Sequence, residues 1–338
     1  MLIASIWLIQ TIAFTRCGVS AIAAASRPFA AAIAIQEQSM SRVSEIRYVG
    51  YGVVDLAAER SFYAEKWGLR QVAEQDGAVY FATEGHEELF TVSLRAAREN
   101  RIDVVAFAAD TRADVDALHT KVIAAGCQIV HAPRDLTTPG GGYGFRFYSP
   151  DGMTLEISSD VARGTTRAME RWDGVPEKIS HIVFHSPNQS AAATFFCDVL
   201  GFIISDWLGD FMVFLRCNSA HHRLAFLPGP ACLNHVAYDM QGVDAMMRGI
   251  HNLRLKDIPI GWGPGRHTAG NNTFSYFVTP NNFVVEYTAD LEDVGDDWEV
   301  TVFTPAPLVM DQWGIGVGGP QTLPHPEENP GLFQTAEG

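Results

Sequence analysis

YFVTPNNFVVEY (Tyr276–Tyr287) reads as a strand, a proline-led turn and a second strand, and FYSPDGMTLEI (Phe147–Ile157) says the same thing earlier in the chain. Two further pairs keep the order. SFYAEKWGL (Ser61–Leu69) returns as TFFCDVLGF (Thr194–Phe202), each a helical stretch closed by a glycine suited to a C-cap. VAFAADTRADVDAL (Val105–Leu118) returns as VAYDMQGVDAM (Val236–Met246), an apolar strand feeding an amphipathic helix. Three matches in one order, each offset by about 130 residues, mark an internal duplication.

Each copy halves again into a strand, a helix and several short strands, around 45–98 and 102–160, then 178–228 and 233–290. The pattern predicts an α+β fold of four β-α-β-β-β modules, paired into two domains with curved, mixed or antiparallel sheets. The expected boundaries are 40–165 for the first domain, 166–295 for the second and 296–338 for an irregular tail. Residues 1–39 stand apart. MLIASIWLIQTIAF has the length of a signal h-region, and AIAAAS suits a cleavage site, yet no basic segment precedes them. The apolar run falls short of the ~20 residues of a membrane span. Because Met40 immediately precedes the first strand-like segment, we read 1–39 as sequence upstream of the fold, with a signal peptide or an anchor as competing readings.

With 47% apolar and 19% charged residues, the composition is that of an ordinary globular protein, and 338 residues suffice for two cores. A formal charge of -15 argues against a nucleic-acid partner, which needs a basic footprint. The five cysteines are scattered without a C-x-x-C pair, as expected of reduced thiols in a cytoplasmic protein. No membrane role is expected of the folded domains.

The duplication supplies an internal control. Glu286 falls on Glu156, so both copies have that carboxylate, but His181 falls on Tyr48 and His235 on Val104. Seven of the eleven histidines lie between 181 and 267, which concentrates the chemistry in the second copy. A carboxylate among apolar strand neighbours is costly to bury unless paired or bound to a metal. Two imidazoles and one carboxylate on adjacent strands form a 2-His-1-carboxylate set that suits Fe(II) with open positions, and similar ligands accept Mn(II). The competing reading makes each histidine a core residue satisfied by hydrogen bonds. Glu156 shows that a glutamate is tolerated here without histidines.

From about Ser41 to Asp290 the sequence resembles the type I extradiol ring-cleavage dioxygenases of the vicinal oxygen chelate superfamily. The resemblance is most specific over GRHTAGNNTFSYFVTPNNFVVEY (Gly265–Tyr287). It implies that His181, His235 and Glu286 are the metal ligands and that the first domain is a metal-free partner copy. It further implies that His222, in CNSAHHRLAF, is the acid-base residue, and that His267 and Tyr276 hydrogen-bond the bound diol and oxygen. His221 competes with His222 for the motif register, and His222 keeps the spacing to Ala225. His267 also reads as a solvated loop residue beside a salt-bridging Arg266, and Tyr276 as ordinary strand packing. His185 is expected to be structural and His251 to lie on a helix surface. The implied partners are a catecholic substrate and O2, and the resemblance also implies a homo-oligomer. A glyoxalase-like lyase or isomerase, or a protein that sequesters a small aromatic compound in the same fold, are the alternatives.

Overall fold

A computed structural model describes residues 41–170 and 172–324; the apolar extension and the end of the tail lie outside the described residues. The first module runs β1 (Glu45–Val53), α1 (Leu56–Ser61, continued by a wider π-helical turn over Phe62–Trp67), β2 (Arg70–Gln75), β3 (Ala78–Ala82) and β4 (Val92–Ala96). The second is β5 (Arg101–Ala108), α2 (Arg112–Ala124), β6 (Ile129–Asp135), β7 (Tyr143–Tyr148) and β8 (Thr154–Ser159). The third is β9 (Lys178–Ser186), α3 (Gln189–Asp198), β10 (Ile203–Leu208), β11 (Met212–Arg216) and β12 (Leu224–Pro228). The fourth is β13 (Cys232–Asp239), α4 (Val243–Leu255), β14 (Trp262–Arg266), β15 (Thr273–Val278) and β16 (Val284–Ala289).

Short polar caps start three of the helices. The side chains of Asp55, Thr111 and Asn188 each accept a hydrogen bond from a backbone N–H in the first turn. Gly68, at φ 88°, closes the first helix in the left-handed region that the repeated glycine suits.

The strands build two sheets of the same topology, β2-β3-β4-β1-β5-β8-β7-β6 and β10-β11-β12-β9-β13-β16-β15-β14. In each, the two strands that open modules pair antiparallel at the centre and each is flanked by a parallel partner. The sheets are therefore mixed, as expected. Register bears out the alignment of the copies: His181 pairs with Ala237 as Tyr48 pairs with Ala106, and Ala237 pairs with Glu286 as Ala106 pairs with Glu156.

Alternation along β16 sorts its side chains between two faces. Val285 and Tyr287 face the main core, where Tyr287 stacks on Trp67 of the first copy at 4.0 Å between ring centroids. From α3, Phe195 and Phe196 reach Phe147 and Phe107 of the first sheet. Helices of each copy thus pack into the other copy's core, and the opposite face of the second sheet, carrying Glu286, is left to the site.

The tail, expected to be irregular, instead extends the second sheet at both edges. β17 (Thr301–Phe303) runs parallel to β10, and after a helical turn, α5 (Pro307–Met310), β18 (Val317–Gly318) pairs with β14. Strands of three and two residues are too short to register as periodicity in a sequence.

Candidate active site

Strand register puts the chemistry in one row. His181 on β9, Ala237 on β13, Glu286 on β16, Tyr276 on β15 and Trp262 on β14 are cross-strand neighbours in succession, so their side chains share a face. The methyl of Ala237 leaves open the space between His181 and Glu286. A break in the β9–β13 register between Leu233 and His235 marks a bulge, a device that re-aims a side chain, and His235 turns toward the same point.

One potential ligand atom from each of His181, His235 and Glu286 lies within 4.8 Å of the others, and all three residues are buried. His235 Nε2 sits 3.0 Å from Glu286 Oε2, and His181 Nε2 sits 3.4 Å from it. Even so, both Glu286 oxygens and His235 Nε2 lack a hydrogen-bond partner. The reason lies on the other side of the ring. His235 Nδ1 donates to the Asn234 carbonyl oxygen, so Nε2 presents a lone pair toward a carboxylate. Lone pairs facing one another in a buried site call for a cation between them, and a divalent metal ion fits this donor set.

Burial would raise the Glu286 carboxyl, but imidazoles that carry a proton toward it hold the group far below the usual carboxylate range, the service that a metal cation would perform in their place. Burial depresses His235 against the pull of Glu286, favouring the neutral imidazole that ligates metals.

Three more side chains close around this point. The His222 ring lies 4.4 Å from that of His181 between centroids. Behind it stand two groups that sequence reasoning missed in this role. Asp206 Oδ2 accepts from His221 Nε2 at 2.7 Å, so His221 Nδ1 is left to accept from His222 Nδ1 at 3.0 Å. The chain of donors leaves His222 Nε2 as an acceptor. Burial, and then the surrounding imidazoles, push His222 well below its ordinary value, which keeps it an unprotonated base. Both members of the His221–His222 pair therefore have a place. Gly270, at φ 76°, lies against them, and a Cβ there would come within 3.0 Å of His221 Nδ1.

On the far side, His267 Nε2 and the Tyr276 hydroxyl are 3.1 Å apart, and His267 Nδ1 donates to the Met310 carbonyl at 2.7 Å. A carbonyl only accepts, so His267 Nδ1 carries the proton and its Nε2 accepts a hydrogen bond from the Tyr276 hydroxyl. Burial and then Glu286 raise the Tyr276 phenol well above its ordinary value, keeping it a neutral donor. The tail thus orients His267. Asp311 Oδ1 accepts from Arg266 N, and the Gln312 side chain donates to the His267 carbonyl, at 3.1 and 2.7 Å. Arg266 pairs with Asp290 at 2.8 Å, the salt bridge weighed from sequence. His185, expected to be structural, lines the cavity and is joined to His235 through Asn234. His251 is exposed on α4.

In the first copy the equivalent point is filled. The Tyr48 hydroxyl donates to Glu156 Oε1 at 3.2 Å, and Arg146 Nε donates to Glu156 Oε2 at 2.7 Å. Arg146 pairs with Glu156 in the register that Tyr276 keeps with Glu286. A guanidinium there supplies the positive charge that the second copy lacks. The space left is about 10 Å³, no more than one water needs.

The described cysteines are free thiols, and no described helix is long and apolar enough to cross a membrane. A family model described as the Glyoxalase/Bleomycin resistance protein/Dioxygenase superfamily matches residues 45–157. The chain is 28% identical over 282 residues to a biphenyl-2,3-diol 1,2-dioxygenase of Paraburkholderia xenovorans, covering 76% of this chain and 91% of the relative. It is 27% identical over 227 residues to metapyrocatechase 2 of Cupriavidus necator, covering 60% and 69%. Its structure superimposes with a TM-score of 0.86 on the Mn(II)-bound glyoxalase from Novosphingobium aromaticivorans, at 67% identity over 88% of this chain and 99% of that one. Sharing its duplicated fold and two thirds of its residues with a protein matched almost end to end, the chain belongs to the Glyoxalase/Bleomycin resistance protein/Dioxygenase superfamily.

Proposed function

We propose that this protein is an extradiol dioxygenase that cleaves the ring of a catechol with incorporation of both atoms of O2. The observation that carries the reading is the clustering of His222, His267 and Tyr276 around three ligand atoms that need a cation. His181, His235 and Glu286 would hold Fe(II) or Mn(II); Mn(II) is the ion of the Novosphingobium protein. When bound, such an ion offers open positions for a diol and O2 and makes a hydroxyl more acidic.

The chain's own residues do the rest. His222 accepts a hydroxyl proton at Nε2 and returns it to oxygen as the O–O bond breaks, both atoms staying in the product, a transfer typically worth about 10²- to 10⁴-fold. Asp206 and His221 hold its tautomer. Tyr276 turns its single O–H from His267 Nε2 to oxygen as negative charge develops. The apolar walls exclude water and strengthen these interactions. The product is a ring-opened acid bearing an aldehyde or a ketone, which balances one diol against one O2.

The test is oxygen uptake by anaerobically prepared, Fe(II)- or Mn(II)-loaded protein with a catechol panel, read with the yellow ring-opened product. One O2 per diol, lost in His222→Ala, is expected; metal-replete protein that consumes no oxygen with any diol would sink the reading. A glyoxalase-like isomerase or lyase is the second reading, favoured by the description of the 67% identical protein. Chemistry of that kind consumes no oxygen, so the same trace separates the two.

A further inference from the structure

The cavity that contains the site has a volume of about 290 Å³, close to the lower end of the ~300–1,000 Å³ typical of small-molecule pockets. On the same measure the hole beside Glu156 has about 10 Å³, room for one water at most, so this cavity has space for a ring and a substituent. The polar groups already described occupy one part of it. The remainder lies between two apolar walls. One is a cluster of Val183, Leu208, Phe214 and Ala269 with Met212 and Leu227 against it; the other is formed by Trp262, Val284 and Leu323.

Fourteen of the twenty-one lining residues are apolar, and none of those described is a lysine or arginine. Of the neighbouring guanidiniums, Arg266 is bound to Asp290 and Asn271 and Arg223 to Glu45 and the Ser180 carbonyl, while Arg216, which donates to the Gly295 carbonyl and leaves Nε unpaired, does not line the cavity. With the diol at the metal ligands, a carboxylate on the substituent would lose its water among the apolar walls and meet no lysine or arginine, which costs far more than burying an uncharged group. An alkyl or aryl group gains about fourfold in affinity for each CH₂ equivalent buried.

We infer that the site takes catechols carrying an uncharged, apolar substituent and rejects those carrying a carboxylate. The inference rests on the dioxygenase reading for the diol and on the walls for the substituent. The test is anaerobic calorimetric titration of the Mn(II)-loaded full chain with a near-isosteric pair, 4-propylcatechol and 3,4-dihydroxyphenylacetate. The propyl compound is expected to bind about 100-fold tighter, with a negative heat-capacity change. A preference below about 30-fold, or no binding of either, overturns the inference, since rejection of an unpaired charge predicts more. Leu227→Arg, at a half-buried position in the wall, is expected to raise affinity for the acid about tenfold by supplying the missing partner, and no gain in a folded variant counts against the assignment. The two readings fail separately. Selective binding of propylcatechol without oxygen uptake keeps the apolar pocket and refutes the dioxygenase. Equal binding and turnover of the acid refutes the pocket and keeps the dioxygenase.

Discussion

Arg146→Met removes the guanidinium that occupies the first copy's metal-equivalent point and keeps a side chain of similar length. Glu156 has no exposed surface, and its pair with Arg146 is 2.7 Å long. Breaking a buried pair by removing one partner typically costs about 3–5 kcal/mol, because the other charge is left without compensation. The lower figure applies, since the Arg146 side chain is 29% exposed and water can replace part of it. At about 2 °C per kcal/mol for a large cooperative unit, the variant should melt about 6 °C lower at pH 7.5. Adding Glu156→Gln to Arg146→Met should recover most of the loss. Calorimetric melting at pH 7.5 checks this. A single variant within about 1 kcal/mol of wild type at pH 7.5, or a double variant no better than the single, would refute the reasoning.

Asp206→Asn puts an amide beside His221 and disturbs the tautomer that presents His222 Nε2 as a base; kcat should fall about 10²-fold with KM within about threefold, measured as oxygen uptake. Asp311→Ala releases the tail from Arg266 and loosens the segment that holds His267; kcat/KM should fall about tenfold while the melting temperature moves by less than about 2 °C. Metal analysis should find one Fe(II) or Mn(II) per chain, and chelation should lower the melting temperature, since an ion that binds only the folded state stabilises it by about 2.7 kcal/mol at 100 times its Kd. Glu286→Gln should abolish both the binding and the chelator effect.

The four modules were legible because strands of period two and glycine-closed helices recur at a fixed offset, so each copy could be read against the other. That comparison also put His181 on Tyr48 and His235 on Val104, which strand pairing bears out. Groups brought together only by cross-strand register were not legible. Asp206 lies on β10, fifteen residues before His221 in the loop that leads to β12, and in sequence it is one more acid in IISDWL. Arg146 looks like a surface charge until β7 and β8 pair and place it on Glu156. Register decides which face a side chain joins, and one residue of slip reverses the answer. The tail has no counterpart in the first copy, so its bond to His267 through the Met310 carbonyl was invisible to the same comparison.

The measurement that bears most directly on the central claim is isotope incorporation under ¹⁸O₂. Metal-loaded protein is incubated with 4-propylcatechol, and the product is analysed by mass spectrometry before its carbonyl oxygen exchanges with water. The account predicts a ring-opened product carrying both labelled atoms, and no product from His181→Ala. A product without label, or a diol returned intact by metal-replete protein, would contradict it.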